Sequence, residues 1–282
     1  MYKMKNLKYA AIIVIYNKNI KDSITCRSIK DINDFNIEVV IVDNSEVDFH
    51  NNEVCKSLGY TYISMNGNKG LSKAYNVGID KTQSDIIILF DDDTFVNKDY
   101  FYVLNKAVND YPEVDIFAPI VYGQDGVIYS PNEFNFLRNH FIDNPNQPIS
   151  QNKFNAIASC LAIRRRVFDN YCFDESLFVD QIDQYFFCEQ RNLNRKFLKL
   201  NVEIHQNFYQ RGENLDPGAA WNRVKLRLVD VMQHAKLMGG VKYRILGLMK
   251  CCGLSLQIAK KSKSIQVLFK GIFLSFKVFF RK

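Results

Sequence analysis

The sequence predicts an α/β fold, a mostly parallel central sheet with helices on both faces, and three observations carry that prediction. Short continuous runs of apolar, β-rich residues recur at 9–16, 37–42 and 86–90, the pattern of strands buried on both faces. Segments of helical spacing separate them, so the connections read as right-handed crossovers. Each run then stops at polar residues: Asn17, then Asp43 and Asn44, then Asp91, Asp92 and Asp93. Ligands of such sheets sit beyond the carboxyl ends of the strands, so the tips are predicted to share one cleft.

Taken in order, residues 9–16 form the first strand and 21–32 a helix of modest quality. Residues 37–42 form the second strand, and 60–64 a third that leads into Asn66, Gly67, Asn68, Lys69 and Gly70. Leu71, Ala74, Tyr75, Val77, Gly78 and Ile79 then follow a helical period. After the strand that ends at Phe90, residues 98–111 suit a helix and 114–122 a strand broken by Pro119. Residues 123–151, rich in Asn and carrying Pro131, Pro145 and Pro148, read as a long functional loop over the cleft. Residues 155–163 read as a strand of small residues. Arg164, Arg165 and Arg166 follow, either contacting a diphosphate or, the preferred reading, opening an exposed basic helix. Residues 197–204 form one more strand, ending at His205, and 207–218, with Arg211, form a polar mobile loop.

The chain has 282 residues, 47% hydrophobic and 24% charged, enough for one large α/β domain with or without an appendage. Seven cysteines show no CxxC pair and no zinc spacing, which fits reduced thiols in a cytosolic protein. No signal peptide is visible, and no stretch reaches the ~18 uncharged apolar residues of a spanning helix. The charge is divided unevenly. Residues 236–282 hold eleven Lys and Arg and no acid, whereas 1–235 hold 26 basic against 30 acidic residues.

Three adjacent carboxylates at a strand end repel one another, and a hard cation relieves them. Mg²⁺ or Mn²⁺ takes oxygen ligands and is held by one or two carboxylates plus substrate phosphates. Alternation along the chain lets Asp91 and Asp93 reach one side together. A solvated acidic turn is the plainer alternative. In the second acidic region, Asp180 and Asp183 stand three apart and would share a helix face, held to the core by Ile182, Phe186 and Phe187. Nearby aromatic rings would raise the pKa of Asp183, as a general base near neutral pH requires; a dipole-favoured acidic helix start is the alternative. His205, alone after its strand, is either structural or a metal or phosphate contact.

The segments VIYNK at 14–18, VDNS at 42–45, NKGLSKAYNVGI at 68–79, FDDDT at 90–94 and LFVDQIDQYF at 177–186 resemble, in order and spacing, glycosyltransferase family 2 of the GT-A fold. The likeness spans about residues 8–235 and is nearest the rhamnosyltransferase-like branch. It implies an inverting transfer of a sugar, rhamnose in that branch, from a nucleotide-diphosphate donor to a lipid-linked or polysaccharide acceptor. Asp43 would contact the base or ribose, Asp91 and Asp93 would form the metal-binding DXD pair with Mg²⁺ or Mn²⁺, and Asp183 would be the catalytic base. Tyr16, Asn17, Asn44, Asn68, Lys69, Gly70 and Asp92 complete the expected donor site, and His205 is a further expected metal ligand. Two departures bear on sugar identity: Glu189 stands where the family often has Arg, and Ile182-Asp183 replaces a usual Glu-Asp pair. A sugar nucleotidyltransferase would want a Gly-rich, basic phosphate loop after the first strand, which VIYNKN lacks. A membrane-anchored scaffold that binds a nucleotide sugar without turnover is the non-enzymatic alternative.

The expected organisation is a GT-A domain at 1–235, with a donor half at 1–122 and an acceptor half at 123–235, followed by a basic amphipathic tail at 236–282. On a helix Lys263, Gln266, Lys270, Lys277 and Arg281 fall near one stripe, and Ile265, Leu268, Phe269, Ile272, Phe273, Phe276, Phe279 and Phe280 cover the rest. That pattern suits an anionic membrane surface, placing the protein on the cytoplasmic side of the cell membrane. A tail packed on the catalytic domain or a partner is the alternative. No nucleic-acid-binding module is recognised, and nucleic acid is not an expected partner.

Overall fold

The structure, a computed structural model, describes residues 7–206, 208 and 216–281. Strands β1 (Lys8–Ile15), β2 (Asn36–Asp43), β3 (Thr61–Ser64), β4 (Ile86–Phe90), β5 (Ile116–Tyr122), β10 (Leu161–Arg164) and β11 (Phe197–His205) form one sheet in the order β11-β5-β10-β4-β1-β2-β3. A short β6 (Ile128–Ser130) pairs with β5 at its side. Only β10 and β6 run antiparallel to their neighbours. The expected α/β architecture is therefore present, and the ends of β1, β2, β4 and β11 meet along one edge.

Alternation along the strands divides the core into two layers. Tyr9, Ala11 and Ile13 of β1, with Ile86, Ile88 and Phe90 of β4, face helices α1 (Ile24–Lys30), α2 (Asn51–Leu58) and α4 (Lys98–Asp110). Ala10 and Ile12, with Ile87 and Leu89, face α3 (Leu71–Asp80) and α5 (Ile182–Asn192). Both faces of these strands are thus covered, which is why their sequences show no polar alternation.

Several elements differ from the sequence expectation. The helix predicted over 21–32 is divided, because Ser23 caps α1 through its side chain to Cys26 N–H and a single 3₁₀ turn precedes it. Helix α2 was not predicted; only eight residues long, it has few apolar positions to set a period. Pro119 does not break β5, since the register of β11 shifts opposite it, between Lys199 and Glu203. The expected loop 123–151 contains β6, β7 (Asn132–Asn135) and β8 (Arg138–His140), and the last two join β9 (Phe154–Asn155) in a small antiparallel sheet. Phe134 of β7 and Phe136 of the turn that follows it pack on His234. The strand predicted over 155–163 is interrupted between β9 and β10, where Cys160 takes a positive φ of 58°. The three arginines lie at the far end of the sheet from the acidic tips: Arg164 and Arg165 donate to backbone carbonyls of Val114, Val108 and Ile79, and Arg166 pairs with Asp115 at 2.6 Å. They contact no cleft residue among those described.

Helices α6 (Pro217–Leu237), α7 (Gly240–Lys261) and α8 (Ile265–Phe280) pack on one another around Val224, Leu228, Val231, Met232, Cys251 and Val267. The boundary expected after residue 235 falls inside α6. Among the described residues no helix is long and apolar enough to cross a membrane. Arg211 and most of the expected mobile loop lie outside the described residues.

Candidate active site

The strand tips meet as predicted. After β2, Asp43 turns inward and is almost fully buried; its carboxylate accepts from Ser45 N–H at 3.0 Å, Asn51 Nδ2 at 2.8 Å and Tyr62 hydroxyl at 3.1 Å. Asn44 Nδ2 donates to Asn68 Oδ1 (3.1 Å), and Lys69 N–H donates to Asn44 Oδ1 (2.8 Å). Gly70 N–H donates to Asn68 Oδ1 at 3.2 Å. Asn44, Asn68, Lys69 and Gly70 thus form one network at the start of α3. Gly70 has φ 92°, and a Cβ there would lie 2.9 Å from the Phe178 ring, so only glycine fits. Asn17, also at positive φ, accepts from Glu46 N–H at 3.0 Å, and the Tyr16 side chain beside it is exposed.

Asp91, Asp92 and Asp93 follow β4. Lys18 reaches Asp92 at 2.9 Å. Burial, followed by the neighbouring Asp91 and Asp92 charges, pushes the Asp93 carboxyl up to about 6; burial also raises Asp92. Asp91 accepts from the Ser159 hydroxyl and from Gln206 Nε2 at 3.0 Å, and the same Gln206 nitrogen lies 3.2 Å from Asp93 Oδ1. Gln206 Oε1 is buried without a partner.

Gln206, not His205, therefore comes to the acidic cluster. His205 is exposed, stacks on Tyr122 at 5.4 Å between ring centres, and lies 3.9 Å from Glu203. Strand alternation separates the two: Ile204 and Gln206 point inward, so His205 points out. The same alternation, readable in the sequence, places Gln206 rather than His205 on the inward side.

Asp183 occupies the first turn of α5 on the opposite wall. Its carboxyl is pushed up to about 7, first by burial and then by the charge of Asp91, while the Ala158 N–H that it accepts works the other way. The predicted elevation is present, but Asp180 does not share its helix face. Gln181 at φ 61° caps α5, which leaves Asp180 outside the helix, 3.5 Å from Arg227 and 3.9 Å from Arg223. The interruption at 156–160 serves both walls, since Ser159 reaches Asp91 and Ala158 reaches Asp183. Tyr75 of α3 is buried nearby; its hydroxyl has no partner, and Asp91 and Asp183 add to the burial that raises it.

Two further residues were missed from sequence because their partners lie fifty or more positions away. Asp230 of α6 accepts the backbone N–H groups of Phe178 (3.0 Å), Val179 (2.8 Å) and Asp180 (2.7 Å), fixing the segment before Gln181. Lys250 of α7 donates to Gln181 Oε1 at 3.0 Å and Phe136 carbonyl at 2.9 Å; burial, then Arg227, lowers its pKa to about 8.

Hard oxygen donors fit a divalent ion: Asp91, Asp93 and the orphaned Gln206 Oε1, with the Gln206 amide nitrogen now bridging the two carboxylates. Among the described residues no three His, Cys, Asp or Glu side chains form a closed metal site. An open site completed by substrate phosphate matches Mg²⁺ or Mn²⁺ better than a protein-only cage does.

The family model described as Glycosyl transferase family 2 matches residues 10–172, from β1 past the strand-tip carboxylates. The chain belongs to glycosyl transferase family 2. Among solved structures it is similar to S. aureus TarS, with a TM-score of 0.53 and 14% identity over 97% of this chain and 54% of that one. It thus spans about half the length of that TarS chain. Residues 1–349 of S. aureus TarS give a TM-score of 0.54 at 15% identity, covering 97% of this chain and 89% of that one. A complex of that fragment with UDP-GlcNAc gives 0.54 at 14% with the same coverage. These likenesses identify the GT-A fold. No match is found among curated proteins.

Proposed function

We propose that this family 2 chain is an inverting glycosyltransferase that moves a sugar from a nucleotide diphosphate to a hydroxyl of a lipid-linked or polysaccharide acceptor. The observation that carries the reading is Asp183: a carboxyl raised to about 7, facing the Asp91 charge across the cleft. Such a group is ionised enough to accept a proton near neutral pH, and basic enough to take it from an acceptor hydroxyl as the new bond forms. Attack from the Asp183 side, opposite the leaving diphosphate, inverts the anomeric carbon in one displacement. Asp43, Asn44 and the Asn68–Gly70 turn would receive the nucleotide, with Tyr16 and Asn17 at its edge. Asp91, Asp93 and Gln206 would hold Mg²⁺ or Mn²⁺. A bound divalent ion supplies neutralisation of the charge that gathers on the departing diphosphate.

The test is donor binding and turnover for the wild type, Asp91→Ala and Asp183→Asn, with and without Mn²⁺ or Mg²⁺. The panel sets a nucleotide-linked rhamnose, which the branch resemblance implies, beside UDP-GlcNAc, which occupies the TarS fragment. The expected result is metal-dependent binding of one donor, weakened in Asp91→Ala, and binding without transfer in Asp183→Asn. Transfer retained in both folded variants would remove the mechanism, and donor binding without wild-type turnover would leave a scaffold.

A further inference from the structure

We propose that the outer face of α8, with the adjoining face of α7, docks the chain on an anionic lipid surface. Helix α8 turns Val267, Gly271 and Ser275 toward the other two helices. Gly271 approaches so closely that a Cβ would lie 2.3 Å from Ser255 Oγ of α7. The opposite side carries Ile265, Phe269, Phe273, Phe276 and Phe280, in steps of four, four, three and four residues. At 3.6 residues per turn this is one continuous stripe. It faces outward: Phe269, Phe273 and Phe280 are 66%, 72% and 74% exposed, and Phe280 touches only the neighbouring Phe279 ring among the described aromatic contacts. Val241, Ile245, Met249 and Leu256 make a similar exposed row on α7.

Charge decides the occupant. Exposed Lys270, Lys277 and Arg281 border the α8 stripe on one flank, and Lys270 leans over the Trp221 ring of α6 at 5.8 Å. Lys260 and Lys263 are exposed at the turn into α8. Residues 236–282 contain no Asp or Glu to offset them. A second copy would bring the same cations to the same face, so self-association by this stripe meets like charge. An anionic bilayer supplies what both parts require: acyl boundary for the rings and headgroup phosphates for the cations. The inner face of α7 reaches Phe136 and Gln181 through Lys250, and the inner face of α8 packs on α6 and α7, which leaves the outer faces for the lipid.

The test is sedimentation of the full chain with phosphatidylcholine vesicles, with and without phosphatidylglycerol. No nucleotide sugar is added, so the outcome is independent of the transferase reading. The wild type is expected to sediment only with the anionic vesicles. Phe273→Ser with Phe280→Ser, and separately Lys270→Glu with Lys277→Glu, are each expected to weaken binding by about tenfold or more. Circular-dichroism melting should stay close to the wild type, because all four side chains are exposed and, among the described residues, only Lys270 on Trp221 and Phe280 on Phe279 give up a ring contact. Equal binding to neutral vesicles, no binding to anionic ones, or unchanged binding in either folded variant would overturn the proposal. So would a stable dimer that the Phe273→Ser, Phe280→Ser chain no longer forms.

Discussion

Two sets of three carboxylates stand on the two walls of the cleft and are treated differently. Asp91, Asp92 and Asp93 stand side by side at a strand end, where burial and mutual repulsion raise Asp92 and Asp93, and Lys18 is the cation that contacts them among the described residues. On the other wall Asp180 has two arginines, and Asp230 has three backbone N–H groups. Asp183 has one backbone N–H and no paired cation among the described residues. The same side chain thus stands in three different surroundings, set apart by what offsets its charge. On the proposed reading the crowded carboxylates would hold a metal and Asp183 would exchange a proton, while Asp230 fixes the backbone that leads into it.

The largest break in that comparison is Asp183→Asn. Loss of a general base is expected to lower kcat by about a thousandfold. Stability should move the other way. A carboxyl near 7 in the fold and about 4 when unfolded keeps its proton only in the folded state across that window, so stability falls as pH rises through it. Asparagine escapes this loss, on the order of 2 kcal/mol after allowance for partial exposure, and calorimetry at neutral pH should show a higher Tm. Wild-type kcat should rise with pH through about 7, at lower pH when a divalent ion masks Asp91; a flat profile there would remove the base assignment.

Asp230→Asn comes next, expected to lower kcat by about a hundredfold through displacement of Asp183, with donor affinity kept. Amide exchange at residues 178–180 should accelerate; unchanged exchange would show that Asp230 does not hold that segment. Gln206→Ala sharpens the other side of the comparison. It should weaken Mn²⁺ binding by about tenfold, read as a shifted metal titration of donor binding. The smallest effect belongs to His205→Ala, less than about twofold on the same titration, because its ring lies on Tyr122. A large loss there would restore the histidine expected from sequence.

The strands and their tips were legible because each is a local, continuous apolar run that ends abruptly, and the helix bearing Asp183 was legible through Ile182, Phe186 and Phe187. Partners distant in sequence were not. Nothing near Asp230 or Lys250 announces the backbone and the amide they hold, since those contacts arise only when α6 and α7 fold back on the catalytic wall. The interruption at 156–160 was read as continuous strand because Ala, Ser and Cys fit a strand as well as a turn. There local propensity gives way to the two hydrogen bonds it delivers to Asp91 and Asp183.

Phe178 joins the two walls directly. Its carbonyl accepts Leu71 N–H at 2.6 Å, and its ring lies against Gly70. Whatever steadies the Asn68–Gly70 turn therefore also steadies the segment that leads into Asp183. The expected consequence is an order of arrival: nucleotide first, acceptor second, with water meeting an incompletely assembled base in the interval.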